Sequence, residues 1–323
     1  MKRLNKRRFG IALVLFLIVV FSFVLFTDKS EPEETIRIGY FRHSSELPFY
    51  VALENNYFKE EGVNVETVEV GVPESLTALI RGDIDVLPSY SFSYFFSYEA
   101  QDPGTLGFFI SGGEIIEGET ISAILVKEDS DINLIQELEG KIIGYDTTLD
   151  KPNVYNILDG AGIKNIKLEQ VSREVAAEVI ERGDIDAYYI NEPYVTILTK
   201  ERNTRVLVAN PRATYIVNPY WSGPSVIIRK DSLYTKEEEI KAVVRAFDKA
   251  IDFIREHPEE ARTMLPKYTA LTPELAQESG IYFKAKSTEE VDVEKIQHLA
   301  NLLYENGFVE SEVDVRGMIL EID

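Results

Sequence analysis

Arg81-Gly-Asp-Ile-Asp85 occurs twice in this chain and returns 101 residues later as Arg182-Gly-Asp-Ile-Asp186. A short apolar segment precedes each copy at a similar distance, Ile36-Arg-Ile-Gly-Tyr40 in the first case and Lys141-Ile-Ile-Gly-Tyr145 in the second. In each copy the Arg-Gly pair is typical of a helix end that is capped by glycine, and Ile-Asp then begins a strand. The repeated order predicts one βαβαβ unit that is used twice.

Two α/β units of this kind predict two lobes that face each other across a cleft. The 323 residues are too many for a single core and suit two lobes. We expect lobe 1 to comprise residues 35–124 together with 225–323, and lobe 2 to comprise residues 125–224. The late helices return to lobe 1, because apolar residues between Ile240 and Ile254 recur at steps of three and four. The predicted fold class is α/β, with a βαβ-built sheet flanked by helices in each lobe.

The first 26 residues differ in character from the rest of the chain. Five Lys and Arg residues within positions 2–8 precede an uncharged apolar run from Phe9 to Phe26, which would span about 27 Å as a helix. A cleaved signal peptide is the alternative, but no small-residue cleavage site precedes Thr27. We expect residues 1–26 to be a basic stub and a single transmembrane anchor, and residues 27–34 to be a tether. The positive charges predict a cell-membrane protein whose soluble part is extracytoplasmic.

Composition excludes several classes of function. The formal net charge is −21, and −26 without the five basic residues of the N-terminal stub, which argues against a nucleic-acid partner. The absence of Cys from the sequence excludes disulfides, thiolate catalysis and iron–sulfur clusters. The sequence contains no phosphate-binding loop and no Ser-His-Asp pattern. We therefore expect a binding module rather than an enzyme, and no cofactor.

Candidate ligand-binding residues are those that follow the predicted strands, because ligands of open α/β sheets bind at the carboxyl ends of the strands. They are Arg42, His43, Ser45, Glu46, Ser89, Tyr90 and Ser111 in lobe 1, Asp146, Thr147, Asn191, Glu192 and Tyr194 in lobe 2, and Trp221 near the return crossing. Alternatives remain for three of them. Glu192 also suits the start of a helix, Trp221 suits packing between the lobes, and Arg42 suits a solvated position.

Four segments in order resemble the ABC-importer substrate-binding proteins of the sulfonate, nitrate and thiamine-precursor branch. They are Ile36–Tyr40 with Pro48-Phe-Tyr-Val-Ala-Leu-Glu54, Tyr57-Phe-Lys-Glu-Glu-Gly62, Gly183-Asp-Ile-Asp-Ala187 with Glu192-Pro-Tyr194, and Val244–Ile251 with Pro258-Glu-Glu-Ala261. The resemblance implies a type II periplasmic-binding-protein fold, a small ligand between two lobes, and delivery to a permease and its ATPase. It also implies a ligand-facing carboxylate at Glu192. The cysteine-rich motif of the related pyrimidine synthases is absent, which disfavours enzyme activity.

Two classes of ligand fit the candidate residues. A thiamine-pyrimidine-like heterocycle suits an aromatic platform at Trp221 and Tyr90 with the Glu192 carboxylate, and we favour it at this point. A sulfonate- or nitrate-type anion suits Arg42 with the Ser45 and Thr147 hydroxyls and helix N-termini. A pyrimidine-synthase-like enzyme and a ligand sensor that reports to a signalling protein are the alternatives from other classes.

Overall fold

The computed structural model describes residues 35–113, 118–284 and 290–321. The predicted membrane anchor at Phe9–Phe26 and the predicted tether lie outside the described residues. Among the residues that are described, no helix combines the length and the apolar character needed to cross a bilayer.

Strands and helices alternate over most of the described chain. The strands are β1 Ile36–Tyr40, β2 Val65–Glu69, β3 Leu106–Gly113, β4 Ser122–Lys127, β5 Ile142–Tyr145, β6 Lys167–Gln170, β7 Ala187–Asn191, β8 Thr204–Ala209, β9 Trp221–Arg229 and β10 Phe283–Lys284. The helices are α1 Leu47–Glu54, α2 Tyr57–Glu60, α3 Val72–Arg81, α4 Phe92–Gln101, α5 Lys151–Gly160, α6 Ala176–Arg182, α7 Tyr194–Glu201, α8 Pro211–Tyr215, α9 Leu233–Glu256, α10 Pro258–Arg262, α11 Leu265–Tyr268, α12 Pro273–Glu278 and α13 Val293–Glu305.

The first sheet is built from both ends of the described chain. β1 pairs in parallel with β2, and β3 pairs antiparallel with β9 and β10. Single bridges from Ile38 to Val86 and from Leu87 to Ile227 join the two groups of strands into one layer. The layer therefore combines an early βαβ unit with strands from the second half of the sequence.

The second sheet has the strand order β6-β5-β7-β4-β8. β5 is parallel to β6 and β7, whereas β4 is antiparallel to both of its neighbours. β4 lies wholly in this sheet and β9 lies wholly in the first sheet, so the chain changes sheets between Gly113 and Ser122 and again between Ala209 and Trp221. The prediction placed these changes at 124/125 and 224/225, because an apolar strand pattern does not reveal which sheet a strand joins.

The two Arg-Gly-Asp-Ile-Asp copies end equivalent helices. α3 ends at Arg81 and α6 ends at Arg182, and the glycine that follows each helix has a positive φ, 75° at Gly82 and 76° at Gly183. Only glycine adopts this conformation without strain, which explains why both copies carry it. The repeated tripeptide is therefore a helix terminus in each sheet.

The last Asp of each copy ties its segment to the first strand of the unit. Asp85 accepts a hydrogen bond from the Arg37 backbone N–H at 2.9 Å, and Asp186 accepts one from the Ile142 backbone N–H at 2.8 Å. Arg37 adds a side-chain ion pair to Asp85 at 3.0 Å. Equivalent residues thus make equivalent contacts in the two sheets, which gives the sequence repeat a structural reason.

The Ile of each copy explains the glycine in each Gly-Tyr strand end. A methyl group built at Gly39 would lie 2.3 Å from the Cδ1 atom of Ile84, and one at Gly144 would lie 2.6 Å from the Cδ1 atom of Ile185. Both Ile side chains are almost fully buried. Each strand therefore needs a residue without a side chain where the Ile of its own unit packs.

Aromatic side chains fill the core on both faces of the first sheet. Phe49 of α1 and Phe247 of α9 stack with their ring centroids 6.5 Å apart on one face. On the other face, Phe92 and Phe96 of α4 stack at 4.9 Å, and Phe92 meets Phe108 of β3 edge to face at 5.6 Å. The late helix α9 therefore packs on the first sheet, as its apolar stripe predicts.

Candidate ligand-binding cleft

A cavity of about 120 Å³ lies between the two sheets. β1, β5 and β7 end at it, which is where the strand-end rule places ligands. The wall on the side of the first sheet comprises Phe41, His43, Ser45, Val72, Ser89, Tyr90, Ser91 and Tyr282. The wall on the side of the second sheet comprises Asp146, Thr147, Leu149, Asp150, Asn153, Arg173, Ile190, Asn191 and Arg212.

The loop after β1 is held rigidly against the cavity. The buried Tyr50 hydroxyl donates to the Phe41 carbonyl at 3.1 Å and accepts from the His43 backbone N–H at 3.2 Å. His43 Nδ1 accepts from the Ser45 backbone N–H at 3.2 Å. That donor makes Nδ1 the unprotonated nitrogen, so Nε2 carries the proton of the neutral ring. The Ser89 hydroxyl extends the set by donating to the Ser45 hydroxyl at 3.3 Å.

Burial and nearby positive charges both lower the pKa of His43. Burial in the cavity wall lowers its pKa, and the nearby cations Arg173, Lys284 and Arg212 lower it further, to about 3. His43 is therefore neutral at physiological pH.

The opposite wall carries a network around a buried carboxyl group. Asp150 Oδ2 accepts from the Thr147 backbone N–H at 3.0 Å and from the Thr147 hydroxyl at 2.8 Å, and Asp150 Oδ1 accepts from the Asn191 side chain at 3.3 Å. Burial nevertheless raises the pKa of Asp150 above its ordinary value. This wall therefore offers amide and carboxyl groups that are already oriented by their neighbours.

Arg173 and Asp146 form an ion pair on the same wall. The Arg173 guanidinium contacts the Asp146 carboxylate, and the Arg173 backbone N–H donates to Asp146 Oδ1 at 3.0 Å. The guanidinium also lies 5.0 Å above the centre of the Tyr194 ring. Arg212, which is 4% exposed, stacks in the same way 5.0 Å from the Tyr220 ring. Both cations are thus fixed in position at the cavity.

The structure brings part of the predicted set together at the cavity. The predicted residues that line it are His43, Ser45, Ser89, Tyr90, Asp146, Thr147 and Asn191. In the loop after β1 the backbone is extended at His43, with φ −141° and ψ 146°, and a 3₁₀ turn follows at Ser44–Glu46. Phe41, His43 and Ser45 face the cavity, whereas Arg42 is exposed and donates to the Tyr268 carbonyl at 3.2 Å.

Glu46 lies beneath the cavity wall instead of in it. It is 1% exposed, and its Oε2 accepts from the Phe41 backbone N–H at 3.0 Å. Burial raises the pKa of Glu46 well above its ordinary value. The carboxyl group therefore supports the loop from below, and its burial favours the neutral form.

The other predicted residues also make contacts away from the cavity. Ser111 is fully buried in β3 and donates to the Gly223 carbonyl at 3.3 Å. Trp221 is 4% exposed and belongs to the aromatic core of the first sheet. Tyr194 lies under the Arg173 guanidinium. These side chains are one layer removed from the cavity lining.

The Glu192 side chain is buried in the protein interior and does not line the cavity. Its Oε1 accepts from the Thr196 hydroxyl at 2.7 Å and from the Gly280 backbone N–H at 3.1 Å, and its Oε2 accepts from the Thr196 backbone N–H at 3.1 Å. Burial raises the pKa of Glu192 to about 7. The carboxyl group thus joins α7 to the segment before β10.

Sequence reasoning did not single out several residues of the lining. Asp150 had a signal, because an acidic residue directly before Lys151-Pro152 is typical of a helix N-terminus beside a strand end. Arg173 follows the end of β6 and could have been found by the same strand-end rule. Arg212 lies on the short helix α8 and Tyr282 directly precedes β10, and no pattern in the sequence indicates that they reach the cavity.

Comparisons with known proteins agree with this architecture. The family described as NMT1/THI5 like matches residues 44–261, which is more than half of the chain. The chain belongs to the NMT1/THI5-like family, as the resemblance in the sequence predicted.

Two curated relatives of the chain are named as binding proteins. It is 24% identical over 304 residues to the putative aliphatic sulfonates-binding protein of Bacillus subtilis strain 168. The aligned residues cover 88% of this chain and 85% of that protein. It is 23% identical over 247 residues to the formylaminopyrimidine-binding protein of Halalkalibacterium halodurans, covering 74% of this chain and 71% of that protein.

Solved structures share the fold. The periplasmic aliphatic sulphonate binding protein SsuA of Escherichia coli superimposes with a TM-score of 0.72 at 22% identity, covering 88% of this chain and 97% of that chain. The fold of the described residues is therefore the α/β fold of periplasmic binding proteins, which confirms the predicted fold class for this part of the chain.

Proposed function

We propose that this protein is the extracytoplasmic solute-binding receptor of an ABC importer, and that it binds a small organic anion between its two lobes. The observation that carries the proposal is the cavity itself, which is walled by loops from both sheets and centred on prearranged polar groups. A ligand in such a cavity contacts both lobes only when they are closed, so binding favours closure. The curated relatives, which are named as binding proteins for small solutes, support the same class of function.

An anionic group on the ligand is supported by the charges around His43. The ring is neutral, burial and the cations Arg173, Lys284 and Arg212 lower its pKa, and Arg173 and Arg212 also line the cavity. Its Nε2–H and the hydroxyls of Ser45 and Ser89 are donors of the kind that oxyanions accept. A sulfonate group at this wall would therefore meet donors and positive charge, while its apolar part packs on the neighbouring aromatic and aliphatic side chains.

The size of the cavity limits the ligand. An engineered cavity of about 150 Å³ in another protein holds benzene, so about 120 Å³ suits a short alkanesulfonate or a single ring. Larger solutes would require the lobes to close less completely. A small ligand fits the relatives named for aliphatic sulfonates and for a formylaminopyrimidine.

A thiamine-pyrimidine-like heterocycle is the second candidate, and one observation favours it. The Asp150 carboxyl group faces the cavity opposite the aromatic residues Phe41, Tyr90 and Tyr282. Such a carboxyl group can accept from an amino group on a ring that stacks on those side chains. Of the residues that suggested a heterocycle, Tyr90 lines the cavity, whereas Glu192 and Trp221 make their contacts away from it. Of those that suggested an anion, Ser45 and Thr147 line the cavity and Arg42 does not. Because Arg173 and Arg212 also line the cavity, the anion is our first candidate.

The partners in this proposal are a permease and an ATPase in the membrane, which receive the ligand. The N-terminal apolar segment would keep the receptor beside them as a single-pass anchor. No nucleic-acid partner is proposed, because the acidic surface repels phosphate backbones.

Calorimetric titration of the full-length protein tests the ligand class. The probes are ethanesulfonate and a formylaminopyrimidine, and the variants are Arg212→Gln in the cavity wall and Arg42→Gln as an exposed control. We expect ethanesulfonate to bind, and Arg212→Gln to weaken it by about tenfold or more, because a hydrogen bond to a charged group contributes about 1.5–3 kcal/mol. We expect Arg42→Gln to bind like the unmodified protein.

Two results would change the proposal. Binding of the pyrimidine without binding of ethanesulfonate would replace the anion with the heterocycle. An equal loss in Arg42→Gln and Arg212→Gln would show that the cavity residues do not select the ligand. Circular dichroism of each variant establishes that it is folded, since Arg212 is buried.

A further inference from the structure

We infer that direct contacts between the lobes form a latch that holds the cleft closed in the free protein, and that these residues set ligand affinity without touching the ligand. The inference rests on the proposed function, because affinity is meaningful only for a binding protein. The latch consists of the pairs Asn156–Asn306, Tyr155–Phe308 and Tyr94–Thr148.

The first contact is a hydrogen bond between two amides. Asn306 Nδ2 donates to Asn156 Oδ1 at 2.6 Å, and Asn156 is 5% exposed. Asn156 lies on α5, which packs on the second sheet, whereas Asn306 follows α13, which packs on the first. This bond therefore spans the cleft and is lost when the lobes separate.

The second contact is a pair of aromatic rings beside the first. Tyr155 of α5 and Phe308 meet edge to face, with ring centroids 5.4 Å apart and an interplanar angle of 68°. The backbone carbonyl of Phe308 is held to α4 by the Ser97 hydroxyl at 3.3 Å. The phenyl ring is therefore presented by lobe 1 to a single helix of lobe 2.

The third contact lies at the rim of the cavity. The Tyr94 and Thr148 hydroxyls are 2.7 Å apart, with Tyr94 on α4 and Thr148 in the loop after β5. Thr147 and Leu149, on either side of Thr148, line the cavity. Within the described part of the chain, the cavity lining includes none of the six latch residues.

These contacts form in the described structure without a ligand, and separation of the lobes would break them. They therefore raise the ratio of closed to open protein before the ligand arrives. When the closed fraction of the free protein is small, the measured affinity is proportional to it. Loss of one hydrogen bond or one aromatic contact should lower the closed-to-open ratio by about two- to tenfold.

The experiment measures the distance between the lobes in the full-length protein without ligand. The sequence has no Cys, so two introduced cysteines are the only labelling sites. Glu66→Cys on β2 and Glu169→Cys on β6 are exposed positions on the two sheets. Spin labels at these positions, in protein freed of bound solute by unfolding and refolding, report open and closed populations by double electron–electron resonance.

We expect a short-distance population in the protein with an unmodified latch. This population should be smaller in Asn306→Ala and in Phe308→Ala. The matched control is Asn301→Ala, an exposed residue of α13 that accepts a hydrogen bond from Gln297 of its own helix, and it should leave the distribution unchanged. In the double variant Asn156→Ala with Asn306→Ala, the shift should equal that of Asn306→Ala alone, because one contact is removed only once.

Two outcomes would overturn the latch. One is a free protein that shows the long distance alone, since the contacts would then be too weak to close it. The other is latch variants whose distributions match that of Asn301→Ala. The distance measurement involves no ligand. If it refutes the latch, the receptor proposal still stands. If the titration refutes the proposed ligand, the latch can still be tested.

Discussion

Replacing Glu192 with Gln should make the stability of this protein less dependent on pH. The Glu192 carboxyl group is 1% exposed, and burial raises its pKa from the ordinary 4.5 to about 7, although Thr196 and Gly280 donate three hydrogen bonds to it. The folded protein thus holds this proton more tightly than the unfolded chain does. The contribution of Glu192 to stability is then fully present below pH 4.5 and is lost as the pH rises to about 7.

The magnitude follows from the two pKa values. Each unit of difference corresponds to about 1.36 kcal/mol, so the loss at high pH approaches roughly 3 kcal/mol. Between pH 5 and pH 8 the change amounts to about 2.5 kcal/mol. Gln does not titrate, so the free energy of unfolding of Glu192→Gln, relative to the unmodified protein, should rise by that amount over the same interval.

Urea denaturation between pH 5 and pH 8 measures this difference. The fluorescence of Trp221, which is the single tryptophan of the sequence and is buried, reports unfolding. Glu201→Gln at the exposed end of α7 is the control, and its difference should stay constant. A constant difference for Glu192→Gln as well would refute the reasoning. So would a variant that becomes relatively less stable as the pH rises, since the hydrogen-bond donors would then outweigh burial.

Two further predictions concern packing and support of the cleft. Gly39→Ala should lower the free energy of unfolding by about 1–3 kcal/mol, because its methyl group would meet Ile84. Adding Ile84→Val, which removes the contacted Cδ1 atom, should restore part of this loss. Urea denaturation of the single and double variants measures both effects. Glu46→Ala should lower the melting temperature by removing the acceptor of the Phe41 N–H, whereas Glu46→Gln keeps an acceptor there and, because burial favours the neutral form of the native group, should lower it much less. Equal losses in both variants would contradict this reasoning.

The sequence repeat could predict the two α/β units because its residues have local and specific tasks. Gly82 must adopt a positive φ, and Ile84 must pack where Gly39 leaves room. Requirements of this kind leave a recognisable pattern in the sequence. No local packing requirement marks the point where the chain passes from one sheet to the other. The predicted boundary at 124/125 therefore falls inside β4.

The candidate site was predictable where a strand end fixes the direction of a side chain. His43 and Ser45 follow β1 closely and line the cavity, as the strand-end rule predicts, whereas Arg42 beside them is exposed. Glu192 directly follows a strand as well, but its direction is set by Thr196 and Gly280, and Gly280 is 88 residues away in the sequence. A long-range partner of this kind cannot be read from a local pattern.

The two copies of the repeat also support their ligand loops in the same way, and the difference between them bears on specificity. Glu46 precedes α1 and accepts from the Phe41 N–H, and Asp150 precedes α5 and accepts from the Thr147 N–H. Burial raises the pKa of both carboxyl groups. Glu46 nevertheless lies behind the cavity wall, whereas Asp150 is part of it. In each copy an acidic residue before the following helix therefore accepts from the loop after the strand, and of the two only Asp150 also lines the cavity. Asp150→Asn should consequently change which ligands bind, whereas Glu46→Gln should not, and titration of both variants with ethanesulfonate and a formylaminopyrimidine would show whether this asymmetry exists.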